Sequence, residues 1–236
     1  MNSDHTEATE SAEPAGGAGG TDGVRRYEQL RAQRPELFTN APGGIDILTD
    51  PESVAAAGGV LYEDPYMILL RDPVRFPDGR AGTYIRSIGP TAEPGCVILP
   101  LVDGEVVLVE HFRHATRDWR WEVPRGFGTL GLTDAENAAK ELHEEIGASV
   151  RELLPLGEVY PDSGMLGSRV LLFAAHVDGV GTLAAGEGIR SALTVPFAEA
   201  EAMVTDGRIS DAFTIAVLAR ARWSGVADQE RRRAAS

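Results

Sequence analysis

The sequence predicts an α/β protein: a strand-rich body with an amphipathic helix near its middle and helices at its close. Three observations carry that prediction. Period-two hydrophobicity begins at Leu61 and recurs through His176. A helical repeat of apolar residues runs from Ala135 to Ile146, and a second runs from Phe197 to Trp223. The 236 residues suit one domain of ordinary size with extensions, and a hydrophobic fraction of 43% is enough for a proper core.

The elements follow in order. Residues 1–23 are polar and Gly/Ala-rich with scattered acids, a composition expected to stay disordered, and His5 within it is incidental. Val24 to Phe38 reads as a short charged helix ending near Pro35, with Arg25, Arg26, Arg31 and Arg34 on a solvated face. Met67–Leu70 and Thr83–Ile88 read as strands, joined through Arg71-Asp72-Pro73 and the turn Pro77-Asp78-Gly79-Arg80. Residues 24–92 thus form a helix and a small β extension. Cys96–Leu101 and Glu105–Glu110 form the clearest hairpin, with Val102-Asp103-Gly104 at its turn. Their near-continuous apolar character predicts strands covered on both faces. Leu153–Tyr160 and Arg169–His176 are two further strands. Phe197–Thr205 and Ser210–Trp223 are helical, separated by Asp206-Gly207, with Ser210 as a candidate cap. Residues 226–236, with Arg231, Arg232 and Arg233, are expected to fray.

Charge narrows the function. A formal net charge of −14 argues against non-specific nucleic-acid binding, which needs clustered Lys and Arg, and against docking on anionic membranes. Metal ions would still let such a protein handle phosphates. Cys96 is the sole cysteine, so no intrachain disulfide is possible; a buried inert thiol and a reducing, cytoplasmic setting are expected. The N-terminus lacks a basic region followed by an apolar core, so no signal peptide is expected, and no apolar run approaches bilayer-spanning length.

The chemistry concentrates in Trp121 to Ala148. Thr133 followed by Glu136 is a capping-box signature, and Gly147 suits a helix end. At about 100° per residue, Glu144 and Glu145 lie roughly 60° to one side of Glu141 and 40° to the other. Ala135, Ala138, Ala139, Leu142 and Ile146 fill the neighbouring arc, so an acidic face borders a buried one. On a solvated surface three such carboxylates cost little. Lining a cleft, they require a cation, and Mg²⁺ fits because it takes hard oxygen ligands and recruits phosphates for the remainder.

From Gly126 to Lys140-Glu141-Leu142-His143-Glu144-Glu145-Ile146-Gly147-Ala148 the segment resembles the box of the Nudix hydrolase family, with its spacing met without a gap. Two positions depart from the pattern: Leu132 stands for an early Glu and Lys140 for an Arg. In the family those two residues support the metal-binding helix; here a Glu136–Lys140 ion pair at i,i+4 is the candidate replacement. The resemblance implies an α/β/α sandwich with a mixed sheet over residues 93–225. It implies Glu141 and Glu145 as principal ligands of Mg²⁺ or Mn²⁺, Glu144 as a further ligand or water-positioning group, and the Arg125 carbonyl as the completing ligand.

The wider likeness is to ADP-ribose and ADP-sugar pyrophosphatases. Glu110-His111-Phe112-Arg113 resembles a stretch in which Arg113 would lie near the substrate phosphates or support the acidic helix; a surface Arg is the plain alternative. The Arg125 guanidinium would reach a phosphate or narrow the pocket. Phe127, with Trp119 and Trp121, would stack on a base or serve core and lid packing. Glu187, the only carboxylate in Thr182–Ile189, is the candidate general base, or a loop residue without a task. His111 and His114 have no assigned role. The N-terminal sheet resembles one that packs across a dimer interface, so a homodimer is expected. The implied reaction is metal-dependent cleavage of a small-molecule diphosphate, ADP-ribose or another nucleotide sugar, to a nucleoside monophosphate and a phosphorylated product. Two alternatives remain at this stage: a non-catalytic nucleotide-binding regulatory module, and a hydrolase of a specialised metabolite diphosphate.

Overall fold

The computed structural model describes residues 21–234 and divides into two compact units, one ending at Pro90 and the other beginning at Thr91. The expected N-terminal tail lies outside the described residues except for its last three, which open the first helix.

In the first unit, helices α1 (Thr21–Gln33) and α2 (Pro51–Ala57) accompany four strands: β1 (Asp46–Ile47), β2 (Gly59–Glu63), β3 (Ile68–Arg75) and β4 (Ala81–Ile88). All pairings are antiparallel, with β1 and β2 on one edge of β3 and β4 along the other. The reading of Arg71-Asp72-Pro73 as a connection is wrong, because these residues lie within β3. Pro73 is tolerated there because its carbonyl accepts from Leu48 N–H on the β1 edge. Its missing N–H points the same way, into the gap between β1 and β2, and β4 loses nothing. The solvated arginine face of α1 also needs correction. Arg26 makes a two-pronged ion pair with Glu63, and Arg34 donates to the Gly89 carbonyl. Beneath them Tyr27, Leu30, Phe38, Val54, Ile68 and Ile88 form a separate core.

The second unit is a helix–sheet–helix sandwich. Its seven strands are β5 (Gly95–Val102), β6 (Glu105–Arg113), β7 (Asp118–Glu122), β8 (Arg125–Gly126), β9 (Val150–Val159), β10 (Val170–Val177) and β11 (Ile189–Pro196). The order β11-β6-β5-β10-β9 is mixed, since β10 runs parallel to β5 while the other pairings are antiparallel. Asp103 and Gly104 both take positive φ, the two-residue hairpin turn that Asp-Gly favours. Period two along β5 divides the core: Val97, Leu99 and Leu101 face one side, Cys96 and Ile98 the other. Helix α3 (Asp134–Ile146) covers the second side through Ala138, Leu142 and Ile146. Helices α4 (Phe197–Thr205), α5 (Ala212–Trp223) and α6 (Val226–Ala234) cover the first. Residues 226–234 are therefore helical rather than frayed, because Val226 and Ala227 have apolar surface to bury. Asp211 rather than Ser210 caps α5, since its carboxylate accepts from Thr214 N–H.

One irregularity locates the chemistry. β5 and β6 pair only beside their turn, at Leu101↔Val106 and Val102↔Glu105, and then diverge. β7 takes the freed edge of β6, and β8 that of β5. The chain crosses the gap at Val123-Pro124, directly before the glycine loop and α3.

Candidate active site

Helix α3 begins as its sequence dictates. Thr133 Oγ1 accepts from Glu136 N–H while the Glu136 carboxylate accepts from Thr133 N–H, a complete capping box, and Gly147 ends the helix in the left-handed region at φ 61°. The expected Glu136–Lys140 ion pair is absent because the capping box holds the Glu136 carboxylate. Lys140 Nζ turns instead to Glu144 (2.6 Å) and Glu141 (3.2 Å).

The three carboxylates are not equivalent. Glu141 and Glu145 are buried, whereas Glu144 is exposed. Glu145 Oε1 accepts from Arg125 N–H at 3.4 Å, and its Oε2 has no hydrogen-bond partner among the described residues. Burial pushes the Glu145 carboxyl up to about 8, against the attraction of the Arg125 N–H and the Arg113 charge. Burial also raises Glu141, with Lys140 opposing and Glu144 and Glu187 adding repulsion. Gly126 closes the other side: a Cβ there would stand 2.0 Å from the Glu141 carboxyl, so a larger residue would force that carboxylate to move.

These residues fit a divalent cation in part. Two buried carboxyl groups, one with an orphaned oxygen, are hard to ionise without added positive charge, which a bound cation would supply. Among the described residues, however, no three His, Cys, Asp or Glu side chains converge as a ready ligand set. Glu144, exposed, is paired with Lys140. A cation here would be completed by backbone carbonyl, phosphate and water oxygens, the usual habit of Mg²⁺.

The arginines converge on a residue without a role in the sequence reading. Glu122, 1% exposed at the end of β7, accepts two bonds from Arg113, one of them 3.0 Å from Nε, and has His111 Nδ1 at 3.1 Å. Burial would raise this carboxyl, yet His111 and Arg113 together lower it below its ordinary value. Arg113 is thus neither free nor a surface residue. The Arg125 guanidinium lies 3.7 Å from Glu122 and 3.6 Å from Asp211, over the Phe213 ring. Phe127 is 70% exposed beside Gly126. Trp119 packs edge-on against Phe112 under the Arg190 guanidinium, and Trp121 against the core.

Glu187 sits in a single 3₁₀ turn (Ala185–Glu187) and is exposed. Its loop is docked on the end of α3: Gly181 N–H donates to the Ile146 carbonyl and Ala184 N–H to that of Glu145. Gly181 and Gly147 meet so closely that a Cβ on either would strike the other strand of backbone. Cys96 is buried under the site, accepts from Asn137 Nδ2, and is pushed up to about 12 by burial and the Glu141 charge, which leaves an inert thiol.

A helix with buried carboxyl groups beside a mixed sheet, with a glycine strand passing them, is a site suited to a cation and phosphate oxygens. A family model for the Nudix domain matches residues 92–213, just over half of the chain. The chain belongs to the Nudix family of pyrophosphohydrolases. A solved structure described as an ADP compounds hydrolase has the same fold, with a TM-score of 0.67 at 17% identity, covering 81% of this chain and 100% of its own. A search of curated protein sequences finds no match.

Proposed function

We propose that the chain cleaves the pyrophosphate of a nucleoside diphosphate joined to a second moiety, with ADP-ribose or another nucleotide sugar as the substrate class. Residues 93–225 would form the hydrolase domain and 24–92 its extension. The observation that carries this reading is the buried pair of Glu141, packed against Gly126, and Glu145, which has one carboxylate oxygen unpartnered among the described residues. The solved ADP compounds hydrolase of the same fold supports the substrate class.

Glu141, Glu145 and the Arg125 carbonyl would hold Mg²⁺ or Mn²⁺, with Glu144 joining them or positioning water once Lys140 releases it. Such an ion supplies Lewis-acid charge to the phosphate oxygens and lowers the pKa of water. Glu187, docked through its loop to the carbonyls of Glu145 and Ile146, accepts the proton of the attacking water. The water oxygen bonds to one phosphorus, the bond from that phosphorus to the bridging oxygen breaks, and the second phosphate leaves with it. Arg113 and Arg125 bring positive charge to the phosphates while Glu122 fixes their orientation. Phe127 offers an exposed ring for the base. Incubation with a panel of nucleoside diphosphate derivatives, with and without Mg²⁺ or Mn²⁺, and coupled phosphate release should give metal-dependent turnover. Glu145→Gln should abolish it, and wild-type rates in that variant would refute the assignment.

One observation favours a second reading. Lys140 pairs with two of the three acids, as a non-catalytic nucleotide-binding regulatory module would tolerate. Tight binding of a panel compound without turnover would select that reading. The resemblance of the N-terminal sheet to one that packs across a dimer interface is the ground for a homodimer, which light scattering tests. Among the described residues no helix is long and apolar enough to cross a membrane.

A further inference from the structure

We propose that Thr214 and Asp211, at the start of α5, are positioning residues that hold the Val123–Gly126 crossing in register with the carboxylates of α3. This inference rests on the metal-binding reading of the site. Between the end of β7 at Glu122 and the start of β8 at Arg125 the chain leaves one strand for another, so the buried Val123 N–H has no strand partner. Thr214 Oγ1, fully buried and 91 residues further along, accepts it at 3.1 Å. The same hydroxyl donates to Asp211 Oδ2 at 2.8 Å, which also takes Thr214 N–H at 2.8 Å. The other oxygen of Asp211 lies 3.6 Å from the Arg125 guanidinium.

Pro124 has no N–H to offer, and its carbonyl accepts from Ile98 N–H. Arg125 N–H goes to Glu145. The crossing is therefore fixed by a few single bonds rather than by a ladder; the Thr214 hydroxyl makes one of them and, through Asp211, is tied to the residue facing the Arg125 guanidinium. A shift here would displace Glu122 on one side and the Arg125 carbonyl on the other. Thr214 lies one residue beyond the segment matched by the Nudix-domain family model.

The test uses the full chain and Mn²⁺ alone as probe, titrated by electron paramagnetic resonance, beside kcat, KM and Tm. Thr214→Val keeps the shape and removes the relay; it should weaken Mn²⁺ binding and lower kcat about tenfold each, with KM for substrate changed less than twofold. Thr214→Ser should stay within about twofold of wild type, since a hydroxyl still accepts and donates. A lower Tm with unchanged Mn²⁺ affinity would reduce Thr214 to a structural residue and overturn the proposal. Should Thr214→Val not fold, Asp211→Asn decides: Asn caps a helix as well as Asp but carries no charge for Arg125. Mn²⁺ binding several-fold weaker in that variant supports the clamp, and unchanged binding overturns it. Wild-type protein that binds no Mn²⁺ sinks both readings; active wild type with indistinguishable variants sinks the clamp alone.

Discussion

Lys140 shows how one side chain changes the electrostatics of an acidic helix face. With Leu132 where the family pattern has an acid, and Glu136 held in the capping box, the ammonium has Glu141 and Glu144 as its partners. It competes with any cation for those oxygens. Lys140→Met should therefore tighten Mn²⁺ binding several-fold, by the loss of a competitor worth about 1 kcal/mol at a partly exposed site. Isothermal titration calorimetry reads it, and weaker binding would mean that Lys140 braces the ligands. Gly126 acts in the opposite sense. Gly126→Ala would drive a methyl into the Glu141 carboxyl, 2.0 Å away, and should cut Mn²⁺ affinity more than tenfold. Stability should change little, because the clash is with the movable end of the Glu141 side chain. Native affinity in that variant would remove Glu141 from the ligand set.

At the scale of elements, α3 was written into the chain and the polar network around it was not. The capping box, the Gly147 stop and the apolar arc are all local, so Thr133, Glu136, Leu142 and Ile146 could be read directly. Thr133→Ala should cost about 1 kcal/mol, as the loss of an N-cap does, measured by urea denaturation. No loss would mean that tertiary packing alone holds the helix start. The Asp103-Gly104 hairpin was legible for the same reason. Glu122, Asp211 and Thr214 were not, because their partners lie 9, 86 and 91 residues away or arrive across a gap in the sheet. An Asp followed three residues later by Thr was the one local cue, and Ser210 beside it masked it. Arg71-Asp72-Pro73 misled because proline argues against a strand interior unless its edge is open, and only the pairing pattern reveals that edge.

Each of the two units has its own apolar interior, and that of residues 21–90 depends on a buried polar tie that its apolar pattern does not reveal. Tyr27, wholly buried, donates to Asp72 at 2.5 Å, and Asp72 also accepts from Arg86 at 2.6 Å. Burial, followed by the bond to Asp72 and its charge, raises the Tyr27 phenol far above its ordinary value of 10.0. The folded state then holds the proton where the unfolded state releases it. Stability from this group is complete below pH 10 and falls as pH rises beyond it, by about 1.4 kcal/mol per unit. Tyr62, bonded to Asp64, is raised in the same direction but is only half-buried, so Tyr62→Phe serves as the control. Four of the five tyrosines, Tyr27, Tyr62, Tyr66 and Tyr84, lie in this unit, and all three tryptophans lie in the other, so absorbance and fluorescence follow the units separately. On an alkaline titration the Tyr27 tyrosinate band should rise only with cooperative loss of the first core, and Tyr27→Phe should remove that slope while lowering stability at neutral pH by about 1 kcal/mol for the lost hydrogen bond. A Tyr27 that titrates smoothly near pH 10 in the folded protein would show that the phenol is open to solvent and that the Asp72 tie does not organise this core.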